Sequence, residues 1–138
     1  MSIQLLRSSA LQSDPARLLG WWQLAACDLE FQDSGRYEPM YSAPVHGYIV
    51  FTSEGRMMTV IQSDGSIPIA YTGRYRVEAD QWITQVDAAS IPVWTGTDQA
   101  RRFRIDAGEL HVNADWYASP THGGRTVRPR IVWKRLEQ

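Results

Sequence analysis

The sequence predicts an all-β fold: an eight-stranded antiparallel up-and-down β-barrel with a short N-terminal helix. Three observations carry this. Turn residues recur at Asp33-Ser34-Gly35, Ser53-Glu54-Gly55, Asp64-Gly65, Asp80, Asp106-Ala107-Gly108 and His122-Gly123-Gly124. The runs between them are rich in β-branched and aromatic residues, the pattern of consecutive hairpins. Only one helix signal appears, Asp14 as N-cap with Pro15 at the first helical position, and it stops at Gly20.

In chain order, residues 1–13 read as a flexible tail and 15–19 as the helix. Strands are expected at 20–31, 45–52, 56–62, 71–78, 82–89, 99–106, 109–116 and 126–136. Short hairpins between nearly every neighbouring pair favour a meander, and closing it removes the exposed edges. A barrel of eight strands has an interior just wide enough for one small ligand. The one long connection, "DSGRYEPMYSAPVHG", joins the first two strands and could cover the barrel mouth; a surface loop stiffened by its prolines explains it equally.

Alternation assigns several faces. In "YTGRYRVE", Tyr71, Tyr75 and Val77 point inward; in "WITQVDA", Trp82, Thr84 and Val86 do. In "LHVNADW", Leu110, Val112, Ala114 and Trp116 share a face, as do Val127, Ile131 and Trp133 in the last strand. The first three strands are apolar on both faces, so pattern does not choose their inward side. That doubled hydrophobicity points to an outer surface buried in a homodimer.

Composition excludes several classes. The 138 residues fit one domain, and 43% hydrophobic residues supply a core. A balance of 14 Lys+Arg against 15 Asp+Glu argues against nucleic acid as a partner. The single cysteine, Cys27, cannot form an internal disulfide, and no Cys/His cluster resembles a metal site. No Walker loop or dinucleotide fingerprint implies a cofactor. No leader-like or membrane-length apolar run occurs, so the chain reads as a cytoplasmic protein without a membrane partner.

The stretch "TGTDQARRFRID" carries the sharpest signal. Alternation places Gln99, Arg101, Phe103 and Ile105 on one face and Arg102, Arg104 and Asp106 on the other. The first face carries the apolar pair, so Arg101 is expected to point inward. Its fork matches a carboxylate, enolate or phosphate. An internal partner, Asp87, Glu30 or Gln99, would explain it as well. His46, beside the long loop, and Asp87 are the other candidates for acid–base work, although a lone loop histidine is usually only surface and Asp87 more often sits on the outer face. Tyr71, Tyr75, Trp82, Thr84, Trp94, Gln99, Phe103 and Trp116 are candidate ligand-binding residues with Arg101, although plain core packing explains each aromatic singly. Ser119, His122 and Asp115 lie close in sequence, but turn composition accounts for them.

The chain resembles the lipocalin-like domain family, the bacterial and fungal branch of the calycin-type barrels, over roughly residues 15–136. The resemblance rests on "LLGWWQL", with Gly20-x-Trp22 after a short helix; on "GYIVFTSEGRMM"; on "PVWTGTDQARRFRIDAGELHV"; and on the closing "VWKR". It implies that Trp22 caps the closed end beside a basic residue, Arg135 or Lys134. Two departures stand out. "SDGSIPIA" is short where relatives carry a longer insertion, and Thr84 and Gln85 stand where relatives carry a histidine.

Three functions remain open: a module binding a small apolar metabolite with an anionic or carbonyl end; a cofactor-independent cyclase or isomerase of secondary metabolism, acting on a polyketide-like or polyene intermediate; and an interaction protein whose barrel is filled. The group is used for both binding and catalysis, so the resemblance does not choose.

Overall fold

The computed structural model describes residues 14–136. Helix α1 (Pro15–Leu18) is capped by Asp14, whose side chain accepts from the Ala16 amide at 3.0 Å. Ten strands follow: β1 (Gly20–Phe31), β2 (Tyr37–Pro39), β3 (Val45–Phe51), β4 (Arg56–Ser63), β5 (Ser66–Glu78), β6 (Gln81–Ala89), β7 (Asp98–Asp106), β8 (Glu109–Asn113), β9 (Tyr117–Ser119) and β10 (Arg125–Arg135). Eight of them, β1, β3–β8 and β10, form a closed antiparallel barrel, because β1 pairs with both β3 and β10. The short β2 and β9 flank the far ends of β1 and β10 and were not expected from the sequence.

One end is sealed. Leu18 and Trp22 are fully buried there with Phe51 and Met57. The Trp22 indole N–H donates to Leu18 O at 2.9 Å, and the Arg135 guanidinium lies 4.0 Å from the ring centroid. The basic residue beside Trp22 is therefore Arg135. The inward side of the first three strands also becomes visible: Trp22, Leu29 and Phe31 from β1, Ile49 and Phe51 from β3, and Met57 and Ile61 from β4 are buried. A bulge near Ala25 rephases β1, which is why simple alternation could not choose its face.

Two boundaries moved for physical reasons. β5 begins at Ser66 rather than 71, because Asp64 and Gly65 make a tight turn with positive φ and Pro68 sits where the β4–β5 register slips. β8 ends at Asn113 rather than 116. Its partner strand contains Pro129, which has no N–H, and the ladder resumes only where Tyr117 pairs with Val127.

Candidate functional site

Between the sealed end and the opposite rim lies a cavity of about 280 Å³. Its wall is mostly apolar. Ile49, Ile61 and Ile69 line one side, Val112, Ile131 and Trp133 another. Tyr71 and Trp94 meet edge to face, 5.5 Å between centroids, and Trp82 closes the floor, edge to face with Phe51 and tilted against Phe103. The long connection after β1 contributes Met40 and Tyr41, so it does form part of the cavity wall.

Arg101 lines this cavity. It is the cross-strand partner of Trp82, and alternation along β7 places it on the inner side as the sequence suggested. Its guanidinium is half-buried, 5.8 Å from the Trp94 centroid, and donates to the Ala100 carbonyl at 2.8 Å. Among the described residues no carboxylate forms an ion pair with it. The three internal partners weighed for it are engaged elsewhere: Asp87 with Arg56, Glu30 with Arg128 at 2.8 Å, and Gln99 with the Thr97 hydroxyl at 2.9 Å. Burial holds the Tyr71 hydroxyl above its ordinary range, and the nearby Arg101 charge opposes that rise. Tyr71 is thus a protonated donor within electrostatic reach of Arg101.

Other candidates fall differently. His46 is exposed on the outer face of β3, opposite Gln62, because Gly47, Ile49 and Phe51 take the inner positions. Asp87 is exposed at the irregularity between β5 and β6, where it pairs with Arg56 on the outside. Neither touches the cavity. Tyr75 packs on Phe51 at the sealed end, and its hydroxyl donates to Thr52 O at 3.4 Å. Phe103 is core beneath Trp82. Thr84 is fully buried, and among the described residues its hydroxyl and the Trp82 indole N–H have no hydrogen-bond partner. Gln99 does not line the cavity. Trp116 is carried outside by the early end of β8 and lies under Arg128, 4.3 Å from guanidinium carbon to ring centroid.

Sequence reasoning missed Tyr41, Asp115 and Tyr117, which do line the cavity. The length of the connection holding Tyr41 was the available signal; nothing marked the other two, because the pattern of β8 ran on through 116. Burial, followed by the neighbouring Cys27 and Tyr117, pushes the Tyr41 hydroxyl up to about 12. Burial, with Asp28 adding to it, pushes the Cys27 thiol up to about 12. Cys27 lies 3.7 Å from the Met40 sulfur, a packed thiol rather than a reactive one. Ser119 does hydrogen-bond His122 (Oγ to Nδ1, 2.8 Å), but within one short turn that packs on Phe31, while Asp115 belongs to the cavity wall. Among the described residues no group of acidic, histidine and cysteine side chains could hold a metal, and no helix is long and apolar enough to cross a membrane.

No curated protein matches the chain. The lipocalin-like domain family matches residues 63–136, more than half of its length. The match includes β5 to β8 and β10, which supply Tyr71, Trp82, Arg101 and Trp133 to the cavity. With the barrel closed, one end sealed by Trp22 and a cavity inside, the chain belongs to the lipocalin-like domain family.

Proposed function

We propose that the protein binds a small, largely apolar metabolite with an anionic or carbonyl end, held in the barrel with that end at Arg101. The observation that carries this reading is the guanidinium itself. It is a permanent charge on the wall of an aromatic and aliphatic cavity, with no carboxylate paired to it among the described residues. A charge in such a place is stabilised by an anion or a strong dipole opposite it. The Tyr71 hydroxyl, kept protonated by burial, offers a second donor near the first. Two donors suit a carboxylate or a β-dicarbonyl better than a simple alcohol. A volume of about 280 Å³ sits at the lower end of small-molecule sites, which favours a compact ligand.

The cyclase or isomerase reading uses the same cavity. There Arg101 would stabilise an enolate and the walls would fold the substrate. That chemistry needs an acid or base beside Arg101, and His46 and Asp87 stand outside. Asp115 and the cavity tyrosines are the groups left for it, so binding is the reading adopted.

The test is native mass spectrometry of gently purified protein, followed by denaturing extraction. The expected result is an acid or β-dicarbonyl recovered unchanged, with occupancy in Arg101→Met reduced to about a tenth or less. Equal occupancy in the variant, or a steady conversion of the added compound, would contradict it.

A further inference from the structure

The charged groups of the cavity stand together at its open end. That end is where β1, β4, β6 and β8 finish and where β7 begins. Arg101, three residues into β7, lies there near Tyr71 and Trp94. Asp115 lies just beyond the end of β8, and it lines the same cavity. Below them the wall is formed mainly by isoleucine, valine and tryptophan side chains, and the Thr59 hydroxyl already donates to Tyr48 O at 3.2 Å.

Asp115 reaches the cavity because β8 stops early. Alternation along β8 would set it outside with His111 and Asn113. Pro129 interrupts the ladder instead. The Ala114 amide donates to Pro129 O at 3.3 Å, and pairing resumes only where Tyr117 meets Val127. Between these two anchors the chain turns, so Asp115 lines the cavity while Trp116 lies outside under Arg128. Among the described residues Asp115 forms no hydrogen bond and no ion pair. Arg101 is directed away from it. β7 lies between β6 and β8, and the guanidinium stands 5.8 Å from Trp94, which follows β6, while donating to Ala100 O at 2.8 Å. A guanidinium and a carboxylate thus line one cavity from opposite sides of β7, and neither neutralises the other.

A cavity of about 280 Å³ is roughly 8 Å across, no wider than the screening length of about 8 Å at physiological ionic strength. A simple anion held by Arg101 would therefore feel Asp115 as a like charge. An acid that also carries a hydrogen-bond donor turns that repulsion into a contact. Its acid group accepts from Arg101, and its donor gives to Asp115. Both charges stand at the open end, so acid and donor belong to the same end of the ligand and the apolar body lies inward. We infer that the ligand's polar end is an acid with a hydroxyl or an ammonium on the adjacent carbon, read by Arg101 and Asp115 together. The inference rests on the binding reading above, and it makes Asp115 the residue that selects among apolar acids.

The experiment is calorimetric titration of the full chain with three acids that share one body, with circular dichroism to check that each variant keeps its fold. Naphthylpropionic acid has no donor, naphthyllactic acid has a hydroxyl beside the acid, and naphthylalanine has an ammonium there. At least one of the two donor-bearing acids should bind the wild type at least about fivefold tighter than the plain acid. Asp115→Ala should weaken that tighter binder at least about fivefold and leave the plain acid equally or more tightly bound, because the like charge is gone. A merely structural role would move all three acids the same way. Asp115→Asn separates the two donors: a hydroxyl keeps most of its advantage against the amide oxygen, whereas an ammonium loses it. Equal affinities of the three acids for the wild type overturn the inference, as does an advantage that survives in Asp115→Ala, or a failure of all three to bind. Naphthylpropionic acid that binds the wild type and Arg101→Met equally well overturns the Arg101 reading beneath it.

Discussion

Arg101 and Arg102 are adjacent in sequence and occupy opposite sides of the barrel wall. Arg102 stands on the outside, while Arg101 lines the cavity with no acidic partner among the described residues. Arg101→Met should therefore leave the thermal midpoint unchanged or slightly higher, because no internal ion pair is broken. Arg102→Met and Arg104→Met should also melt like the wild type, since exposed pairs contribute little. A large drop for Arg101→Met alone would make it a structural residue. A second residue-scale expectation concerns alkali. The Cys27 and Tyr41 groups are raised from 9.0 and 10.0 to about 12 in the fold. Both are neutral when protonated, so the unfolded chain ionises first. Their contribution is fully present below about pH 9 and is lost as pH rises toward 12. Urea melts at pH 8 and 11 should show this loss, and Cys27→Ser with Tyr41→Phe should reduce it. Arg101 was legible in the sequence because one strand pattern, apolar on one side and charged on the other, fixed its direction. His46 and Asp87 were candidates for acid–base work only against a surface reading, and both are exposed: His46 lies opposite Gln62 on the outer face, and Asp87 follows the inward Trp82, Thr84 and Val86 out of phase.

Strands were legible wherever turn residues bound them. β1 begins and ends as expected, β3, β4, β6 and β7 differ from expectation by one residue at one end, and β10 by one residue at each. The failures cluster at prolines and bulges. Pro68 looked like loop yet lies within β5, and Pro129 silently shortens β8, which carried Trp116 out of the cavity. β2 and β9 were invisible because three residues make no periodicity. Two substitutions test the elements. Trp22→Ala removes the plug of the sealed end, with its bond to Leu18 and its contact to Arg135, and should cost about 3–5 kcal/mol in a denaturant melt. A variant that melts normally would contradict the plug. Gly73 lies at the β5–β6 irregularity, where a Cβ would stand 2.0 Å from Gln85 O. Gly73→Ala must push the two strands apart. It should destabilise far more than Gly35→Ala, where the added carbon meets nothing within 4 Å and the only cost is that of a side chain at φ 70°.

At the scale of the molecule, one wall separates three environments. Its inner side at the sealed end is solid aromatic core, its inner side above that is a cavity lined by Arg101, and its outer side carries exposed ion pairs such as Arg56–Asp87 and Arg76–Glu78. The closed sheet was predictable from hairpin order, and the sealed end from what the resemblance carried by Gly20-x-Trp22 implies. The position of the cavity was not, since an aromatic that packs and an aromatic that lines look alike in sequence; Phe103 and Trp82 are neighbours in space with different roles. The central claim, that the cavity takes an apolar body and Arg101 its anionic end, is tested most directly with two fluorescent probes of similar aromatic body. One is 1-anilinonaphthalene-8-sulfonate, an anion; the other is N-phenyl-1-naphthylamine, which has no charge. Titration of the wild type and of Arg101→Met with each should show the sulfonate weakened at least about tenfold by the substitution and the neutral probe nearly unaffected. Equal affinities for the sulfonate in both proteins, or equal losses for both probes, would contradict it.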